Sequence, residues 1–343
     1  MPRHVSNPPN PWATQHVEWL EEPPRAKLEV FEEEAKSLLT KNDSPDVPFT
    51  WGANAYRGCQ HGCSYCYARP GHQYLSFGAG TDFERKIVVK TNAAELFARE
   101  LLRPAVRGQW IALSGVTDCY QPLEAHYGLT RRMLQIALQR HVPMGIITKG
   151  ALVQRDADLL GRLARGPGAE VYVSVPFADA DMARQVEPAA SSPAKRFEAM
   201  AALHEAGVPV GLAIAPMIPG LNDDQLPEIL ERAYAAGARR AFMLPLRLPA
   251  EVAPVFEERL RQSFPDRADK VMRAVREMRG GQLNDPRFGA RMDGSGVRYG
   301  ATRRLFEISA KRLGFVEPPQ GGSPRTLVEP RHGDQSAQGQ FDW

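Results

Sequence analysis

Between Phe49 and about Leu283, short apolar runs alternate with amphipathic ones about six times, and this alternation constrains the fold more than any other feature of the chain. Runs suited to buried strands fall at 49–55, 110–114, 144–148, 170–175, 208–215 and 240–246. Between and after them, apolar residues recur at helical spacing over 93–102, 128–141, 155–165, 192–206, 225–236 and 253–263. Ser192 stands where the helix 192–206 begins, and Gly207 and Gly237 stand where helices end. Repeated strand–helix units require a parallel sheet with right-handed crossovers. Spacing alone leaves open whether that sheet is an open doubly wound one or a barrel.

The flanks read differently. In residues 1–48, Pro8, Pro9, Pro11, Pro23 and Pro24 break up the start. Leu28, Phe31, Ala35 and Leu38 or Leu39 then suggest one helix over 25–39. This segment is expected to wrap the main domain, 49–283, as an N-terminal extension. Residues 284–316 read as a C-terminal helical extension with its helix at 302–312, and the tail 317–343, rich in Pro, Gly and Gln, as disordered. With 43% hydrophobic and 24% charged residues the chain is expected to be globular, which excludes a mostly disordered protein. No apolar run is long enough to cross a bilayer, and the start lacks the apolar segment of a signal peptide. Four cysteines exclude a disulfide-dense scaffold and point to the reducing cytosol.

Three of those cysteines lie together, in Gly58-Cys59-Gln60-His61-Gly62-Cys63-Ser64-Tyr65-Cys66-Tyr67, just after the first expected strand. Three thiolates on one short loop can converge on a metal centre but cannot saturate it. Structural zinc would need a fourth ligand such as His61 or His72. A four-iron cluster would keep one iron without a protein ligand, open to a substrate or cofactor. Ordinary buried cysteines are the third reading.

The spacing C-x3-C-x2-C with an aromatic, Tyr65, before the third cysteine resembles the radical S-adenosylmethionine (radical SAM) superfamily. The resemblance covers roughly residues 49–283. It implies an α/β fold, a partial (β/α)6 TIM-like barrel with its site at the C-terminal ends of the strands, as in barrels generally. It implies a [4Fe–4S] cluster on Cys59, Cys63 and Cys66, whose open iron is chelated by S-adenosylmethionine. One-electron reduction, by a donor such as flavodoxin or ferredoxin, would then give a 5′-deoxyadenosyl radical that takes a hydrogen atom from substrate. More locally, Asn42-Asp43-Ser44-Pro45, Tyr56-Arg57-Gly58, Tyr67-Ala68-Arg69-Pro70 and Thr117-Asp118-Cys119-Tyr120-Gln121-Pro122-Leu123-Glu124 resemble the spore photoproduct lyase-like branch of DNA-repair proteins.

If that fold holds, polar residues ending each strand face the cofactor. Strand two ends in Ser114-Gly115-Val116-Thr117-Asp118, without the Gly-Gly-Glu of many superfamily members. Carbonyls at Ser114 and Gly115, or the Asp118 carboxylate, are expected to serve instead. Lys149 follows an apolar strand directly and is expected to meet the methionyl carboxylate or the ribose. Ser174 is the lone hydroxyl of strand four and resembles the family's ribose-binding position; Ile218 is the candidate adenine contact. Asn222 or Asp223 caps the next helix in the plainer reading. Arg247, at the end of strand six, suits a substrate phosphate or carboxylate. Cys119 is either packing or a hydrogen-atom donor to a product radical.

Whole-chain charge, 43 Lys or Arg against 40 Asp or Glu, predicts no partner. Residues 239–312, however, hold 17 Lys or Arg against 9 Asp or Glu. Arg287, Arg291, Arg298, Arg303 and Arg304 crowd there with Phe288 and Tyr299, a mixture suited to nucleic acid phosphates and stacking. The expected protein is therefore a radical SAM enzyme, with nucleic acid a candidate substrate. Modification of a peptide or small metabolite, or a non-catalytic iron–sulfur or zinc nucleic-acid-binding module, are the rivals.

Overall fold

The computed structural model describes residues 7–12 and 26–316, so the tail expected to be disordered lies outside the described residues. The strands are β1 (Glu29–Glu33), β2 (Leu39–Lys41), β3 (Trp51–Ala53), β4 (Tyr56–Arg57), β5 (Lys86–Lys90), β6 (Ile111–Leu113), β7 (Met144–Thr148), β8 (Ala169–Ser174), β9 (Val210–Met217) and β10 (Arg240–Pro245). The helices are α1 (Thr81–Arg85), α2 (Ala93–Glu100), α3 (Glu124–Tyr127), α4 (Leu129–Gln139), α5 (Ala157–Arg165), α6 (Ala180–Val186), α7 (Pro193–Glu205), α8 (Leu226–Ala235), α9 (Val252–Ser263), α10 (Pro265–Met278) and α11 (Val297–Leu313).

One sheet has the order β10-β9-β8-β7-β6-β3-β2, parallel throughout except for the β2–β3 pair. Its six parallel strands follow sequence order with no reversal. A doubly wound sheet needs a reversal to place helices on both faces. Without one, right-handed crossovers put every helix on the same side, and the sheet curls about its other face. The alternative left open by spacing is thus resolved as a partial barrel. The helices form a continuous outer layer, α2 against α4, α4 against α5, α5 against α7, α7 against α8, and α8 against α11.

Along β8, Val171 and Val173 enter the large core with Leu134, Leu160, Met200 and Leu230 of the helices. Glu170, Tyr172 and Ser174 take the opposite face, because side chains alternate across a strand. A second, smaller core joins Cys63 and Tyr65 to Phe177, Ile218, Leu246, Phe256 and Val271. It seats the cysteine loop on the C-terminal ends of β9 and β10 and on α9 and α10. No described helix is long and apolar enough to cross a membrane.

The expected helix over 25–39 is replaced, within the described residues, by β1 and β2. The reason is long-range pairing. β1 runs parallel to β5, a buried strand the sequence reading did not separate. The N–H groups of Leu38 and Leu39 donate at 3.1 and 2.8 Å to the buried Glu100 carboxylate. The first expected strand is shorter, β3 with β4 following, and helix α10 was not anticipated. The last helix is longer than the 302–312 pattern, and its first turn holds Arg298 and Tyr299.

Candidate active site at the cysteine loop

The loop after β4, which carries the three thiols, turns sharply at two glycines. Gly58 and Gly62 have φ of +77° and +65°, in the left-handed region that glycine adopts without strain. A Cβ on Gly58 would come within 2.9 Å of the Phe83 carbonyl, and one on Gly62 within 2.9 Å of Glu84 Oε2. Behind the loop, the fully buried Arg69 donates to the Cys63 carbonyl from Nε and Nη2 at 3.0 and 2.8 Å. Its Nη1 donates to Ala79 and Gly80 carbonyls, both at 2.9 Å, and Nη2 pairs with Glu84 Oε1 at 2.5 Å.

The run Thr117 to Glu124 clamps the loop from the β6 side. The Thr117 hydroxyl donates to the Gly58 carbonyl at 2.5 Å, and the Gln60 N–H to Gln121 Oε1 at 3.0 Å. The Tyr56 hydroxyl donates to Glu124 Oε2 at 2.5 Å. Asp118 accepts from the Thr148 hydroxyl at 2.6 Å, from the Lys149 and Tyr120 N–H groups at 2.8 and 2.9 Å, and lies 3.3 Å from His61 Nδ1. Burial works against ionising Asp118, but His61, Thr148 and the Lys149 N–H outweigh it and hold the carboxyl well below the usual range. Its oxygens are therefore spent inside the protein.

A second buried network holds Tyr65. Its hydroxyl donates to Glu187, which also pairs with Arg196 at 2.5 Å; Arg196 in turn donates to the Ser174 and Ser191 carbonyls at 2.9 and 2.7 Å. Burial opposes the Glu187 charge, but Arg196 and Lys149 overcome it and lower its pKa. Nothing in the sequence marked this pair, because Glu187 and Arg196 sit in segments that read as ordinary helix and loop.

Cys59 and Cys63 are buried and Cys66 is half-buried. Burial raises all three thiols: Cys59 well above the usual range, with Asp118 and the other two cysteines adding to it, Cys63 to about 12 with help from Glu187, and Cys66 upward as well. Two buried sulfurs and a half-buried one that repel each other as thiolates ionise more readily beside a cationic centre, and an all-sulfur set suits iron–sulfur chemistry. His61 is engaged by Asp118, and His72 packs against Phe77 and Phe83. Among the described residues, no three His, Cys, Asp or Glu side chains are arranged to hold a single metal ion. The donor set fits a cluster with one open iron, and among the described residues neither nearby histidine is free to be the fourth ligand of a zinc site.

The remaining sequence candidates divide. Lys149, half-buried, holds its ammonium 5.5 Å from the Tyr65 ring centroid. Ser114, at φ +75°, uses its hydroxyl to accept the Cys119 N–H at 3.0 Å, and the Gly115 carbonyl accepts the Tyr67 hydroxyl at 2.7 Å. Ser174 is buried, its hydroxyl 3.4 Å from the Ala215 carbonyl. Ile218 is fully buried in the smaller core, and its N–H donates to Asn222 Oδ1 at 2.6 Å. Neither Asn222 nor Asp223 caps α8: Asn222 clasps the Ile218 turn and Asp223 binds the Gly220 N–H and Arg298. Cys119 is 3% exposed and packs in the large core. His126, His141 and His204 are exposed. Four of the five arginines singled out in the basic stretch are ion-paired: Arg287 pairs with Asp285, Arg291 with Asp46, Arg298 with Asp223, and Arg303 with Asp293 and Glu307.

A sequence-ordered parallel partial barrel with a three-cysteine loop after its first strand defines a class of cluster-dependent radical enzymes. The radical SAM superfamily model matches residues 53–233, and the chain belongs to that superfamily. The family implies a [4Fe–4S] cluster, S-adenosylmethionine and an electron donor. Uncharacterized proteins of Mycobacterium tuberculosis and Mycobacterium bovis are each 36% identical over 234 residues, covering 67% of this chain and 69% of theirs. One from Methanocaldococcus jannaschii is 30% identical over 198 residues, 58% of this chain and 71% of its own. Among solved structures, spore photoproduct lyase complexed with dinucleoside spore photoproduct aligns with TM-score 0.57 at 16% identity, covering 88% of this chain and 85% of that one. A mutant of the same enzyme with bound S-adenosylmethionine and dinucleoside spore photoproduct gives 0.57 at 16%, covering 83% and 78%.

Proposed function

We propose that this radical SAM enzyme acts on a nucleobase-bearing substrate, in the manner of a spore photoproduct lyase-like repair reaction. The observation that carries the reading is an open apolar face beside the cysteine loop. Tyr67, Val116 and Ile147 are 50%, 51% and 41% exposed. The Tyr67 hydroxyl reaches Gly115, the neighbour of Val116, and Ile147 follows the last β6–β7 register pair, Leu113 with Ile146, on the adjacent strand. An exposed Ile on a central strand means the inner face of the sheet is accessible at that height. Aromatic and apolar groups of this kind offer a flat base a stacking surface.

In this reading Cys59, Cys63 and Cys66 would hold the cluster, which with S-adenosylmethionine supplies hydrogen-atom abstraction. Lys149 would bind the methionyl carboxylate, with Ser174 and the Ser114–Gly115 backbone lining the cofactor's path. Asp118, Glu187 and Arg69 act as positioning residues: they fix the loop and the Tyr65 ring and keep water from the thiols. The fold shared with spore photoproduct lyase supports the reading because it extends beyond the superfamily core into both flanks. The ion-paired arginines of the C-terminal segment favour a short or extruded substrate over a long duplex gripped along its backbone.

The test is anaerobic reconstitution of the full chain, then incubation with reductant and S-adenosylmethionine, with and without dinucleoside spore photoproduct. Formation of 5′-deoxyadenosine together with conversion of the lesion to thymidines is expected. If 5′-deoxyadenosine forms but neither this lesion nor ultraviolet-irradiated DNA is altered, the nucleobase reading fails and the peptide or metabolite rival takes its place.

A further inference from the structure

The cysteine loop is flanked by two cations of different standing. Lys149 lies over Tyr65, before Cys66, and Arg247 lies over Tyr67, after it, with its guanidinium carbon 5.0 Å from the ring centroid. Tyr67 is itself fixed by its bond to the Gly115 carbonyl. The end of β10 is held equally firmly. Arg279 donates to the Pro245 and Leu246 carbonyls at 2.8 and 3.0 Å, and to those of Ala290 and Arg291 at 3.3 and 3.2 Å.

Arg247 is half-buried, and among the described residues its guanidinium has no hydrogen-bond acceptor and no carboxylate partner. Asp46, the acidic group whose charge reaches it, is occupied by Arg291 and by the Gly289 N–H. Burial and the Arg291 charge both work against Arg247, lowering its pKa despite Tyr67 and Asp46. The contrast with its neighbours is sharp: Arg69, Arg196 and Arg279 spend their donors on protein carbonyls and carboxylates. A partly desolvated guanidinium with free donors is costly unless an anion completes it.

We propose that Arg247 binds a phosphate oxyanion of the substrate and sets its register against the cysteine loop; the proposal rests on the nucleobase reading above and names the charged group that such a substrate brings. A guanidinium stacked on an aromatic ring keeps its in-plane N–H groups free for two phosphate oxygens. Arg279 and Arg291 add positive charge around it, as the influence of Arg247 on Arg279 and of Arg291 on Arg247 records. In the reading above, Lys149, over Tyr65 on the other side of Cys66, would be the cation for the methionyl carboxylate.

The experiment uses cluster-loaded full-length protein with S-adenosylmethionine, and measures binding of three probes by calorimetry: thymidylyl-thymidine, its uncharged methylphosphonate analogue, and inorganic phosphate. Wild type is expected to bind the phosphodiester about tenfold tighter than the methylphosphonate, as loss of a charge-assisted contact implies. Arg247→Gln should erase that difference, and Arg247→Lys should restore part of it. Equal preference for the phosphodiester in wild type and Arg247→Gln overturns the proposal while the nucleobase reading stands. Inorganic phosphate binding that is lost in Arg247→Gln, with no binding of either dinucleotide, upholds the anion site and removes the nucleobase reading. No binding of any probe by wild type overturns both.

Discussion

The wall behind the cysteine loop and the rim in front of it are built from the same kinds of residue and treat charge in opposite ways. Behind, Arg69, Glu84, Glu187, Arg196 and Asp118 are buried, and each is matched by ion pairs and backbone groups. In front, Lys149 and Arg247 lie over aromatic faces and, among the described residues, have no side-chain hydrogen bond or ion pair, while Tyr67, Val116 and Ile147 meet solvent. A buried charge survives only when its hydrogen-bonding capacity is met, so the wall is necessarily self-contained. The rim keeps unmet capacity, which is what a ligand uses. Donor accounting thus separates residues that hold the loop from residues that face a partner, where residue type alone does not.

The largest effect that would break this comparison is at the thiols. Replacing any one of Cys59, Cys63 or Cys66 with Ala is expected to abolish the stable cluster, read as iron and sulfide content after anaerobic reconstitution. A full complement in any single variant removes the three-thiol assignment. Next comes the wall. Arg69→Met leaves Glu84 with a weaker partner and several carbonyls unmet, and is expected to cost about 3–5 kcal/mol in urea unfolding. A loss under about 1 kcal/mol would mean the loop does not depend on that arginine.

A pH series sharpens the same contrast. His72 is buried, and desolvation lowers its pKa from 6.5 to about 4 against smaller opposing contributions from the Lys86 and Asp82 backbone and the Asp82 charge. The unfolded chain therefore takes up a proton that the folded one refuses. Stability present above pH 6.5 should fall as pH drops toward 4, by up to about 3 kcal/mol. His72→Phe should flatten that part of the profile, and an unchanged slope would show that other groups govern it. The smallest effect is expected at Cys119. Its thiol packs in the large core, so Cys119→Ala should cost about 1 kcal/mol and leave 5′-deoxyadenosine formation intact. If instead substrate conversion alone is lost, the thiol donates a hydrogen atom after all.

Much of the frame was legible in the chain. The 144–148 pattern coincides with β7, and the helices at 93–102, 128–141, 192–206 and 225–236 fall within a few residues of α2, α4, α7 and α8. Ser192 caps α7, accepting the Lys195 N–H at 3.4 Å. Local periodicity suffices for such elements because each buries its own stripe against the sheet. The segment 26–39 misled because Leu28, Phe31, Ala35 and Leu38 match a helical spacing, while the pairing of β1 with β5 is written 57 residues away. The pairing of the basic residues over 239–312 was not legible for a related reason: composition counts charges, and only folding brings Asp46 to Arg291 and Asp223 to Arg298.

By itself the sequence determined the three-cysteine loop, the strand–helix alternation and therefore the handedness and class of the fold, since these follow from local spacing and backbone chirality. The tertiary structure decided which polar residues are used up and which remain open. Ser114 directly follows β6 and Asp118 lies in the loop beyond it, yet their oxygens serve His61, Thr148 and Cys119, whereas among the described residues Arg247 keeps its donors. Those outcomes depend on contacts between segments far apart in the chain, where the desolvation of each group is settled by neighbours that no local pattern encodes.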